Sequence, residues 1–147
     1  MDVKLVIARL RENIQELEQL RSTEALRIAL DATALLKLRI QTSGQNADGN
    51  AFPPYVPSYA RQRQRKGAQT GYVDFTVTGR LMANIQPRVV QDDENKTIVE
   101  IAARDSENNA KLLGAVKKRG NILRLAPDEI RLIADANRER LRKVFDI

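Results

Sequence analysis

Apolar residues recur at alternating steps of four and three from the start of the chain: Val3, Ile7, Leu10, Ile14 and Leu17. This is the spacing of one stripe on an α-helix, and it predicts a helix over 2–21. Lys4, Arg9, Arg11, Glu12, Glu16 and Glu18 fill the other face. The stripe runs for under three heptads, short of what specifies a coiled coil. Two placements are open for it, against the body of its own chain or against another subunit. Ser22 or Thr23 can cap a second helix, with Glu24 in its first turn, where the helix dipole favours an anion. From about Glu24 to Thr42 leucines, isoleucines and alanines cover most of the circumference. Such a helix is expected to be central and buried, with Leu35 and Leu36 in the core.

The pattern then changes. Residues 44–85 hold five of the seven glycines, all three tyrosines and three of the five prolines. Ser43-Gly44 ends the helix, Asp48-Gly49 signals a turn, and Pro53-Pro54 forces an extended path. Phe52 and Tyr55 are placed to pin that path to the core. Pro57-Ser58 opens a short helix, SYARQRQRK, stopped by Gly67 and carrying Arg61, Arg63, Arg65 and Lys66. It reads either as a solvated basic helix or as a contact with phosphate or an acidic neighbour. Alternate spacing spreads these cations around the helix, which argues against a helix that reads base edges. Residues 74–77 suggest a short extended piece. Thr78 can cap a helix through Gly79, Arg80, Leu81, Met82 and Ile85.

Beyond Pro87 the period falls to two. Arg88–Gln91 and Thr97–Ile101, joined by Asp92-Asp93-Glu94-Asn95-Lys96, predict a β-hairpin at about 87–103. A lone hairpin is marginal in water, so the buried helix is its expected cover. Ser106 can cap a helix through Lys118, and residues 121–125 could add a third strand. Pro127 followed by Asp128-Glu129 opens a last helix over 128–145, whose stripe is interrupted by Asn137 and Arg138. The fold class is α+β: long N-terminal helices on a small antiparallel sheet, and a C-terminal helix. Residues 1–147 form one domain, with a loop and basic helix as an arm at 44–74.

Composition narrows the chemistry. There are no cysteines and no histidines, which removes disulfides, thiolate metal sites, the commonest general base and the commonest metal ligand. No metal or cofactor site is expected. The paired carboxylates Asp92, Asp93 and Glu94 fall on a hairpin tip, a wet setting ill suited to acid–base catalysis. Neither Gly67-x-x-x-Gly71 nor Gly114 to Gly120 makes a phosphate loop. The chain reads as a non-enzyme. A net charge of +6 permits nucleic acid or an acidic protein as partner without selecting between them. No apolar run is long enough to span a bilayer, and the first residues lack the layout of a signal peptide, so a protein assembled in the cytoplasm, without a membrane partner, is expected.

Three motifs in order resemble the phage virion morphogenesis or tail-completion family, the neck proteins that join head to tail. These are LRIQTSGQNADGNAFPPYVPSYARQRQRKG, the block Thr78-Gly79-Arg80-Leu81 with Asn84-Ile85, and the ending RLAPDEIRLIADANRERL. Where members often carry histidine before a glycine after the hairpin, this chain reads Lys118-Arg119-Gly120. The resemblance implies a structural virion protein, assembled in the host cytoplasm and located in the virion neck. It would form a homo-oligomeric ring around the channel through which genomic DNA passes without sequence-specific binding. Its neighbours would be other neck proteins (connector or stopper, tail terminator or tail tube). It implies contact residues at Phe52, Tyr55, Tyr59, Arg61, Arg63, Arg65 and Lys66, and at Thr78, Gly79, Arg80 and Leu81. The basic helix would then meet an acidic neighbour and face away from the lumen, since a lumen lined with arginine would hold DNA back. The alternative from composition alone is a small basic nucleic-acid-binding module.

Overall fold

The computed structural model describes residues 3–76 and 78–145; Val77, within the extended piece expected at 74–77, lies outside them. Helix α1 runs without a break from Val3 to Ser43, about 60 Å at 1.5 Å per residue. The break expected at Ser22-Thr23 does not form. Serine and threonine cost only a few tenths of a kcal/mol inside a helix, less than opening a turn of backbone hydrogen bonds. The side chains here also tie the helix to neighbours. Arg21 donates to the backbone carbonyls of Asp93 and Glu94 and to Thr97 Oγ1, and Glu24 pairs with Arg140 near the end of the chain at 3.4 Å.

After α1 come α2 (Pro57–Arg65), α3 (Arg80–Asn84), β1 (Ile85–Asp92), β2 (Thr97–Ala103), α4 (Ser106–Arg119) and α5 (Pro127–Phe145). β1 and β2 are antiparallel, from Ile85 opposite Ala103 to Asp92 opposite Thr97, with an irregularity between Val89 and Gln91. The hairpin lies along α1, as expected of its cover, and α5 packs on α1 as well. Along α5 the tie is ionic: Arg140 reaches Asp31 at 2.8 Å and Glu24 at 3.4 Å.

The core is drawn from nearly every element. Leu36 and Ile40 of α1 meet Phe52, Val73, Met82 of α3, Ile85, Ala103, Leu112 and Ala115 of α4, and Ile122. Only the second half of α1 is central. Leu36 is fully buried, Leu35 half-buried, and Leu30 and Leu38 exposed. From Lys4 to Gln19 every residue except Asn13 is exposed, so this half of the helix stands clear of the body.

Two smaller expectations are corrected. Residues 121–125 make no strand. Asn121 Oδ1 accepts the Leu123 N–H at 3.1 Å, a side-chain turn that bends the chain and drops Ile122 into the core. Helix α4 is capped by Asp105 rather than Ser106; its Oδ1 accepts the Asn108 N–H at 2.7 Å.

Candidate functional surface

One buried polar hub folds the arm back on itself, tying α2 to the returning chain at Asp74. Arg63 points inward and is 1% exposed. Its Nη2 donates to Asp74 Oδ1 at 2.9 Å, and its Nε to the Gln69 carbonyl at 2.9 Å. The Tyr55 hydroxyl donates to Asp74 Oδ1 at 3.0 Å and accepts the Asp74 N–H at 3.1 Å. Gln69 Nε2 donates to Asp74 Oδ2 at 2.6 Å, and the Thr76 N–H to Oδ1 at 3.0 Å. Burial alone would raise the Asp74 carboxyl, but donors from Thr76, Gln69 and Tyr55 outweigh it and hold it at about 2. Burial pushes the Tyr55 phenol up, so it keeps the proton it donates.

Aromatic packing completes the attachment. The Arg63 guanidinium lies 4.5 Å from the Tyr55 ring centroid, and Tyr55 meets Tyr59 edge-to-face at 5.3 Å. Phe52 meets Phe75 edge-to-face at 5.6 Å. Phe75 holds a left-handed backbone at φ 57°, a conformation that costs a non-glycine residue about 1–2 kcal/mol. Arg119, at the end of α4, lies 5.7 Å from the Phe75 ring and 5.9 Å from Tyr55.

These contacts sort the residues expected to meet a partner. Phe52 is buried at 5% and belongs to the core. Tyr55 is half-buried against it. Arg63 is withdrawn from the surface, because Asp74 supplies a buried carboxylate within its reach. What α2 displays is Arg61, Arg65 and Lys66, with Tyr59 at 37% and Val56 at 62% exposure just before them. Arg61 and Arg65 are four apart and share a face.

The Thr78–Leu81 block lies beside that display. Gly79 precedes α3 in the left-handed region at φ 70°. The Thr78 hydroxyl makes only a long contact, 3.4 Å, with the Arg80 N–H. Arg80 is exposed, and Leu81 is half-buried against the core. A hollow of about 290 Å³ joins Tyr59 and Phe75 to Thr78, Arg80 and Leu81, with Asn108 and Lys111 of α4 as its far wall. A second hollow of about 390 Å³ shares Arg80, Asn108 and Lys111 and continues past Asn84, Arg104, Asp105 and Glu107. The groove is therefore mixed in sign. Lys111 is paired with Glu107, and Asp105 accepts from Asn84 and Asn108. Asn108 is buried, and its Oδ1 accepts no hydrogen bond among the described residues.

Asp74, Asn108 and Lys111 carried no sequence motif, and Arg119 was marked only by standing where family members often carry histidine. The nearest signal is an acid flanked by Val73 and Phe75, eleven residues after Arg63. A second buried pair was equally silent. Arg39 Nε meets Glu129 Oε1 at 2.7 Å, while its other nitrogens reach the Gln45 and Arg124 carbonyls at 2.6 and 2.9 Å, binding the end of α1 to the start of α5.

Among the described residues no three His, Cys, Asp or Glu side chains stand close enough to hold a metal ion. No helix among the described residues is long and apolar enough to cross a membrane. Comparison with protein-family models, with curated proteins and with solved structures finds no match for this chain.

Proposed function

We propose that this chain is a structural assembly protein of the tailed-phage neck, a ring subunit around the DNA channel that carries no catalytic activity. The observation that carries this reading is the groove joining Tyr59 of the arm to Thr78, Arg80 and Leu81. Two motifs that are separate in the sequence, and that support the resemblance to tail-completion proteins, meet in one concavity. Its chemistry suits a protein neighbour: an aromatic and aliphatic floor, exposed arginines at the edge, and both signs of charge within reach. Tyrosine and arginine are the residues that concentrate binding energy at protein interfaces. A ring needs a heterologous contact, in which one surface of a subunit meets a different surface of the next, and a preformed groove held by a buried hub supplies one half of such a contact.

The mixed charge also weighs against a nucleic-acid site here, since Asp105 and Glu107 would repel phosphate. Arg61, Arg65 and Lys66 on α2 still favour a second reading, a basic nucleic-acid-binding module. The two are separated by Arg80→Glu. Arg80 is exposed, so the fold should persist by circular dichroism. On the assembly reading rings seen by electron microscopy are lost. On the second reading no rings exist, and duplex binding falls by decades between 50 and 200 mM salt for six to ten phosphate contacts.

A further inference from the structure

Among the described residues the first half of α1 is left exposed from Lys4 to Gln19, apart from Asn13. It presents Val6, Ile7, Leu10, Ile14 and Leu17, each 40–55% exposed. A solvated helical stretch of this length is only marginally stable alone. Its charges are sorted along its length: Lys4, Arg9 and Arg11 come first, then Glu12, Glu16 and Glu18. Lys4 stands at the N-terminal end, where the helix dipole prefers an acid, and no acidic residue stands in the first turn. The stripe runs into an apolar groove of about 450 Å³ between α1 and α5, where Leu17, Leu20, Ile28 and Leu141 meet Glu18 and Glu24. Among the described residues Glu24 Oε2 accepts no hydrogen bond, and it lies 3.4 Å from Arg140 Nε.

We propose that a second copy of this chain lies antiparallel along this half of α1. A two-fold axis near residue 12 sets Ile7 against Leu17 and Leu10 against Ile14 of the other copy. It brings Lys4 beside Glu18 and Val6 beside Leu20, each twice. Residues 4–7 of each copy reach the apolar groove of the other, carrying a positive charge to an acidic rim. A parallel pair would set the basic ends together and the acidic ends together, and would lay the two dipoles side by side in the same sense. An α-helix lying on an anionic membrane would want lysine and arginine along the whole polar face, where this one carries Glu12, Glu16 and Glu18. The contact goes beyond the ring reading. Being two-fold, it cannot close a larger ring, and it leaves the groove at Tyr59 and Arg80 free.

The absence of cysteine makes the test clean. Ile7→Cys and Leu17→Cys proteins are purified separately, mixed and oxidised. The expected product is the mixed 7–17 cross-link. Predominant 7–7 or 17–17 links would overturn the antiparallel arrangement, and no links from a monomer by sedimentation would overturn pairing itself, whether or not the monomer is captured by phosphatidylserine vesicles. A charge swap guards against misfolding. Lys4→Glu suits the helix dipole better than the native residue, yet should weaken pairing roughly tenfold, and adding Glu18→Lys should restore it. Unchanged pairing in Lys4→Glu, or failure of the double variant to restore it, would overturn the charge register. Cross-linking reads only this helix contact, so its outcome is independent of whether rings form.

Discussion

Replacing Asp74 by Asn should loosen the arm and destabilise the whole fold, by an amount that depends on pH in a defined way. The native carboxylate is 4% exposed and faces an arginine that is 1% exposed. Removing one partner of a buried ion pair leaves the other charge uncompensated and costs about 3–5 kcal/mol, a large share of a typical total of about 5–15 kcal/mol. Part of this is proton-linked. The Asp74 carboxyl sits at about 2 when folded, against 3.8 as its ordinary value. A folded value below the unfolded one means stability that is fully present above the unfolded value and lost as pH falls toward the folded one. The displacement corresponds to about 2–3 kcal/mol. Urea denaturation followed by circular dichroism, run from pH 7 down to pH 2, should therefore show a wild-type advantage of about 3–5 kcal/mol at neutral pH. That gap should shrink by about 2–3 kcal/mol below pH 4 as the wild-type carboxyl takes up its proton. A gap under 1 kcal/mol at pH 7, or one that does not change with pH, would refute the assignment of Arg63 and Asp74 as the hub that holds the arm.

Other outcomes follow from the same packing. Leu36→Ala should cost about 2–5 kcal/mol in equilibrium unfolding, because Leu36 is fully buried, while Leu38→Ser on the exposed face should stay within about 0.5 kcal/mol of wild type. Gly44→Ala should destabilise by more than the roughly 1–2 kcal/mol of its left-handed backbone. Gly44 has φ 62°, and a Cβ there would stand 2.8 Å from Tyr72 Cβ and Cδ2; a wild-type melting temperature would contradict this. A gel-shift titration with duplex DNA should show no tight, steeply salt-dependent binding if the exposed α2 cations meet protein.

What could be read from the sequence followed from local periodicity. The hairpin at 85–103 was legible because its period is two and its connector is rich in turn residues. The last helix announced itself by Pro127, Asp128 and Glu129, and its exposed Ile130 and Leu132 fit the incomplete burial its broken stripe implied. What could not be read depended on partners distant in the chain. Arg61, Arg63 and Arg65 are chemically alike in the sequence, and only the return of the chain at Asp74 decides which of them turns inward. That path runs through Gly67 and Gly71, where local rules allow many routes. Phe52 was expected both as a pin to the core and, through the resemblance, as a contact residue, and the path of the arm folds it into the core. The missing break at Ser22-Thr23 has another cause. A capping residue only permits a helix to start; it does not force one to stop. The candidate groove was half legible. Its Tyr59 and Thr78–Leu81 parts lay in recognisable motifs, whereas the Asn108 and Lys111 wall is an ordinary polar face of α4.

Negative-stain imaging of the purified protein, with and without Arg80→Glu, tests the assembly reading most directly. The wild-type chain should form closed rings with an open centre, and a variant that stays folded should lose them. Particles that never close into rings at any concentration, together with duplex binding that weakens steeply with salt, would contradict it.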